Sequence, residues 1–132
     1  MSLNPTVWIV DDDEDDQLLI RSAFTEVSPA IELVLLTDGD ELLPKLSGSS
    51  RLPDLILLDV NMTRQNGLDT LEELRSNPAY VSLPVVIFTT SSAQEDIQRS
   101  LTLGANHFLT KPLTFVDLKE MVKLLTQEWV LT

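Results

Sequence analysis

The stretch VWIVDDDEDD, Val7–Asp16, decides the fold. Its first four residues form an unbroken apolar run, short enough for a strand and closed by acids. A strand that is apolar on both faces is buried on both faces, which marks a parallel sheet covered by helices. Four further runs follow the same design: Ile31–Leu36 (IELVLL), Leu55–Leu58 (LILL), Val85–Phe88 (VVIF) and His107–Leu109 (HFL). Between them the apolar residues step at helical spacing. Ile20, Ala23, Phe24 and Val27 fall at i, i+3, i+4, i+7, and Leu118, Met121, Val122 and Leu125 repeat that pattern. Leu68, Leu71 and Leu74 step by three; Ala93, Ile97 and Leu101 step by four. The segment Asp40–Leu46 has the weakest pattern, since Pro44 removes an internal hydrogen bond or forces an early start. Five strands alternating with five helices predict an α/β, doubly wound parallel sheet with helices on both faces.

The chain has 132 residues, room for one domain, and the sequence predicts a single domain over 1–132 with no output domain. An apolar content of 43% excludes a disordered chain. The balance of 21 acidic against 9 basic residues, a net charge of −12, speaks against non-specific binding to nucleic acid or to an anionic membrane. With no cysteine there is no disulfide framework and no thiolate chemistry. No run approaches the ~20 apolar residues of a membrane span. The N-terminus lacks a signal-peptide pattern, so a cytoplasmic location is expected. Met1-Ser2-Leu3 has the look of an expression leader and carries no weight.

In an open parallel sheet, ligands bind beyond the carboxyl ends of the strands. The first strand is followed by Asp11-Asp12-Asp13-Glu14-Asp15-Asp16, and the third by Asp59-Val60-Asn61-Met62. The fourth runs into Thr89-Thr90-Ser91-Ser92 and the fifth into Thr110-Lys111-Pro112. The topology gathers these four loops at one end, giving carboxylates, a hydroxyl and one ammonium. Such a set suits a divalent cation with hard oxygen preference and phosphoryl transfer, which needs positioning and charge neutralisation. Asp11, Asp12 and Asp59 offer the carboxylates, and an aspartate is an established nucleophile for this chemistry. Lys111 offers a mobile point charge and Thr89 a hydrogen bond.

Each residue also has a plainer reading. Acids at a helix start usually cap it and favour its dipole, and Asp13, Glu14, Asp15 and Asp16 are assigned that role. For Asp11 and Asp12, capping and ligation stand level. A lone Asp59, Thr89 or Lys111 carries little signal; the four strand ends together carry much more. His107, the only histidine, reads as a strand-edge residue, and Trp129 as a packing anchor for the C-terminal end. Lys111-Pro112 is a place where a cis peptide could form. Converging carboxylates predict at least one pKa raised by like-charged neighbours.

These elements, Val10-Asp11-Asp12, LILLDVNM at Leu55–Met62, Gly67, VVIFTTSS at Val85–Ser92 and GANHFLTKPL at Gly104–Leu113, together resemble the receiver domain of two-component response regulators. The resemblance runs over nearly the whole chain. Within that family it is most similar to stand-alone receivers serving phytochrome-type and other hybrid histidine kinases, on the TTSS stretch and the long Asn77–Pro84 loop. The resemblance implies a flavodoxin-like strand order 2-1-3-4-5. It implies Asp59 as phosphoacceptor from a sensor histidine kinase. Mg²⁺ would be held by Asp11, Asp12, Asp59 and the backbone carbonyl of Asn61. Thr89 would be the switch hydroxyl, Lys111 the phosphate-binding lysine and Phe108 the aromatic that changes rotamer. Such a protein is a signalling phosphoprotein and not an enzyme, acting only on its own phosphorylation and dephosphorylation.

Three departures stand out. Thr63 replaces the family's frequent proline after the methionine and is expected to loosen that loop. Pro44 interrupts the second helix. Phe108 lacks a tyrosine hydroxyl, so a switch there works by packing. Output is expected through the face of the fourth helix, fifth strand and fifth helix, toward a partner protein or a second copy. There Leu103, Leu113, Phe115 and Val116 exceed what the core can take.

Three other readings compete. A flavodoxin-type cofactor binder needs a hydroxyl- or glycine-rich phosphate loop where this chain has six acids. An aspartate-nucleophile phosphatase needs a second acid two residues after its nucleophile, where Asn61 stands. A receiver that works without phosphorylation would not need Asp11, Asp12, Asp59, Thr89 and Lys111 together.

Overall fold

A computed structural model describes residues 4–129. The chain order is β1 (Thr6–Val10), α1 (Glu14–Val27), β2 (Glu32–Leu36), a 3-10 turn (Gly39–Glu41), α2 (Leu42–Ser47), β3 (Leu55–Leu58), α3 (Gly67–Ser76), β4 (Val85–Thr89), α4 (Gln94–Thr102), β5 (His107–Thr110) and α5 (Phe115–Glu128). All neighbouring strands pair parallel, in the order β2-β1-β3-β4-β5. This is the sheet predicted from the alternation of apolar runs and helical stripes.

Side chains alternate across the sheet, so each strand feeds two cores. On one face Trp8, Val10, Ile56, Leu58, Val85 and Ile87 pack with Leu42, Leu46, Leu68, Leu71 and Leu74 of α2 and α3. On the other, Val7, Ile9, Leu55, Leu57, Val86 and Phe88 meet Ile20, Phe24, Leu118, Val122 and Leu125 of α1 and α5. The three inner strands are buried throughout. The edge strands β2 and β5 are partly open, having a neighbour on one side only. His107 lies exposed at the start of β5. Trp129 is the C-cap of α5 and packs against the α1–α5 core, with its indole N–H buried and without a partner among the described residues.

Pro44 is accommodated by a restart. The chain makes a 3-10 turn and begins α2 at Leu42, so Pro44 lies in the first helical turn, where backbone N–H groups have no intrahelical acceptor. Among the described residues no peptide bond is cis, so Lys111–Pro112, where a cis bond could form, is trans. Leu103 and Phe115, expected to be surplus to the core, pack against its two faces. Leu113 and Val116 remain exposed.

The loop between β3 and α3 is tied down at both ends. Asp38, buried after β2, accepts the backbone N–H groups of Arg64 at 2.8 Å and Gln65 at 2.7 Å. Burial alone would raise its carboxyl pKa; these N–H groups outweigh that and hold it below the ordinary range. The Arg64 guanidinium reaches back to Asp40 and Glu41. At the far end Asn66 caps α3 through the Leu68 N–H, and Gly67 donates to the Val60 carbonyl. A Cβ on Gly67 would stand 1.9 Å from the Asp59 carbonyl oxygen. Since that atom belongs to the backbone, Gly67→Ala must displace the segment that carries Asp59. We expect it to cost about 3 kcal/mol, read as a lower urea midpoint with an unchanged m-value.

Candidate functional site

Parallel pairing brings the C-terminal ends of β1, β3, β4 and β5 to one edge. The ladder continues one residue beyond the strands: Asp11 N–H donates to the Leu36 carbonyl, Asp59 N–H to Val10, and Lys111 N–H to Thr89. These bonds fix the backbone under each functional side chain. Gln17, buried on α1, donates both amide hydrogens, one to the Asp11 carbonyl and one to the Leu36 carbonyl, each at 2.8 Å. It locks the mouth of β1 to that of β2. Sequence reasoning passed over it, because a glutamine inside a polar helical turn carries no signal until its carbonyl partners are known.

One carboxylate oxygen each from Asp11, Asp12 and Asp59 lies within 4.8 Å of the others. Asp11 and Asp59 are buried and Asp12 is exposed. The Lys111 ammonium lies among three acids, at 2.5 Å from Asp11 Oδ2, 2.7 Å from Asp16 Oδ2 and 3.2 Å from Asp59 Oδ2. Thus Asp16, assigned on sequence to the helix start, is an ion-pair partner of Lys111. Asp13 keeps the capping role and accepts the Asp16 N–H at 3.0 Å. Asp16 lies one helical turn beyond the residue whose run it shares, and only its orientation toward β5 separates it from Asp15.

Thr89 is fully buried at the end of β4, where its hydroxyl oxygen accepts a long contact from the Ser91 N–H. Among the described residues its hydroxyl makes no hydrogen bond to the side chain of Asp59 or Lys111. Asn61 is exposed, with its backbone N–H directed at Asp59 Oδ1 at 3.4 Å. Phe108 is half-buried in β5 beside Ile87 and packs against the α2–α3 core. Thr63, which stands where the family often has proline, brings a hydroxyl to this loop. Its hydroxyl donates to Asp12 Oδ2 at 2.9 Å, linking that loop to the one after β1. A threonine can make this tether where a proline cannot.

The electrostatics follow from burial. Desolvation pushes the Asp11 carboxyl from 3.8 up to about 6, against the hydrogen bonds from Lys111 and the Asp13 N–H. The charge on Asp59 adds only the smallest push. A raised carboxylate was expected, but its main cause is burial and not like-charge repulsion. Burial also opposes the charge on Lys111; hydrogen bonds to Asp11 and Asp16 outweigh it and hold the lysine above its ordinary range.

Comparisons with known proteins agree with this geometry. Residues 7–123 match the response regulator receiver domain family. Response regulator Rcp1 from Synechocystis is 32% identical over 96% of this chain and 89% of its own. The probable methanogenesis regulatory protein FilR2 of Methanothrix harundinacea is 30% identical over 94% of this chain and 83% of its own. The crystal structure of the phosphorylated cyanobacterial phytochrome response regulator RcpA superimposes with a TM-score of 0.89 at 31% identity, covering 96% of this chain and 94% of that one. The Mn²⁺-bound form of Rcp1 gives 0.86 at 32%, covering 97% and 96%. The chain belongs to the response regulator receiver domain family, the phosphoacceptor modules of two-component signalling. No helix among the described residues is long and apolar enough to cross a membrane.

The Asp11 carboxyl makes stability depend on pH in a defined direction. In the unfolded chain it titrates at its ordinary 3.8 and in the folded chain at about 6. Between these values the folded state binds the extra proton. Its contribution to stability is therefore full below the lower value and lost as pH rises through the upper one. That difference corresponds to about 3 kcal/mol. We expect urea melts of the metal-free protein to show this loss between about pH 4 and pH 7, and Asp11→Asn to lack that component. Equal pH slopes for the two proteins would contradict the assignment.

Proposed function

We propose that Asp59 is the phosphoacceptor of this receiver and that its donor is the phosphohistidine of a sensor histidine kinase. One Asp59 carboxylate oxygen attacks phosphorus, the phosphorus–nitrogen bond breaks, and the imidazole nitrogen keeps the electron pair. Hydrolysis later returns the carboxylate and inorganic phosphate. The chain acts on no other substrate. The observation that carries the reading is the convergence of buried Asp59 with Asp11, Asp12 and the Lys111 ammonium at the C-terminal edge of the sheet.

Three carboxylates offering oxygens within 4.8 Å form a hard, anionic donor set, which suits Mg²⁺. Asp11, Asp12 and Asp59 would hold it, with the Asn61 carbonyl as a further ligand. Bound there, the cation supplies neutralisation of the negative charge of site and phosphoryl group. Support for a divalent ion comes from Rcp1, whose solved form binds Mn²⁺. Lys111 pairs with the phosphoryl oxygens, and Thr89, buried on β4, supplies the hydroxyl that reports the group. Phe108, half-buried on neighbouring β5, responds by repacking. The site is cytoplasmic in this reading.

The signal leaves through α4, β5 and α5, toward a protein partner or a second copy. Exposed Leu101, Leu113 and Val116 support that face. The net charge of −12 disfavours nucleic acid and membranes as targets. The likeness to Rcp1 and to phytochrome response regulator RcpA supports a phytochrome-type or hybrid kinase as donor.

Incubation with Mg²⁺ and acetyl phosphate followed by intact mass spectrometry tests the assignment. We expect one phosphoryl adduct in the parent and none in Asp59→Ala. An adduct that persists in the variant would place the acceptor elsewhere. Mg²⁺ at 100-fold over its dissociation constant should add about 2.7 kcal/mol to the parent's stability.

A further inference from the structure

An ammonium has three N–H donors, and in this structure three carboxylates take them: Asp11, Asp16 and Asp59. Asp11 and Asp59 belong to the acid cluster at the strand ends; Asp16 lies outside it, on the first turn of α1. The contact to Asp59 is the longest of the three, so the lysine head leans toward α1 and away from Asp59. We infer that Asp16 is a positioning residue that parks Lys111 and competes with a phosphoryl group on Asp59 for its ammonium.

The inference rests on the phosphoacceptor reading and adds a residue to it. New acceptor oxygens on Asp59 take over the contact it already has with Lys111, but drawing the ammonium closer to them requires Asp11 or Asp16 to give ground. Releasing Asp11 would leave a buried charge without its partner, which is expensive. Releasing Asp16 is cheap, since its side chain is 31% exposed and water can take the place of the ammonium. A cavity of about 40 Å³ borders Asp16 and Lys111, walled by Leu19, Ile20, Phe88 and Leu118. Asp16 thereby sets how much binding free energy the incoming anion spends on recruiting the lysine.

The neighbouring acid provides the control. Asp15 shares the helical turn and the charge of Asp16 but is exposed and makes no bond to Lys111. Beryllofluoride, an analogue of a phosphoryl group on aspartate, is titrated by ¹⁹F NMR at saturating Mg²⁺ into the parent, Asp16→Asn and Asp15→Asn. Mg²⁺ affinity of each is measured by calorimetry. The expected result is half-saturation of Asp16→Asn at a concentration about three- to tenfold lower than for Asp15→Asn. The two variants should share one Mg²⁺ affinity. Equal half-saturation, or weaker binding in Asp16→Asn, overturns the inference. A Mg²⁺ affinity that differs between the variants also overturns it, since Asp16 would then act on the cation. If the parent itself takes no beryllofluoride, the phosphoacceptor reading fails, and this inference with it.

Discussion

The Lys111 ammonium offsets the negative charge gathered at the strand ends. Three carboxylates face it, two of them buried. Without the cation, Asp11 and Asp59 would be like charges out of reach of bulk water. At an effective dielectric of ~20 such a pair about 4 Å apart repels by about 4 kcal/mol. With the lysine present the cluster is tolerated, and the lysine opposes the rise that burial imposes on the Asp11 pKa. The arrangement keeps a reactive, anionic edge on an otherwise apolar sheet.

That edge depends on backbone bonds more than on side-chain bonds. The parallel ladder runs one residue past β1, β3 and β5, and each extension sets the base of one functional side chain. Gln17 closes the β1–β2 mouth from the α1 side. Asp38 fixes the loop beyond β3 from the β2 side, with Arg64 bracing it to Asp40 and Glu41. Thr63 then joins that loop to Asp12. The acidic residues are thus held by a frame that spans three loops, and close approach of Gly67 to the Asp59 carbonyl leaves the frame little freedom to shift.

The α4 flank is built differently. Among the described residues of α4, only Ser100 is buried, and Leu101 on α4 and Val116 at the start of α5 face solvent. A helix with so little buried surface has little to lose on moving, so it belongs to the part of the fold where local rearrangement is least costly. The two ends of the domain therefore differ in physical character: a tightly tied acidic edge and a loosely packed flank.

The sequence by itself determined the class of fold, the sheet order through the family resemblance, and the residues at the strand ends. Continuous apolar runs declare buried strands, and the topology of a parallel sheet sends every loop after a strand to the same edge. Asp11, Asp12, Asp59 and Lys111 were legible for that reason. Tertiary structure alone decided the rest. Asp16 and Asp15 are one residue apart in one acidic run, and only the rotation of α1 against β5 makes one a lysine partner and leaves the other in water. Thr63 reads as a weaker proline until Asp12, 51 residues away, is within its reach. Leu103 and Phe115 read as surplus until the two cores show room for them. In each case the deciding quantity is a distance between segments far apart in the chain, which periodicity along the chain does not contain.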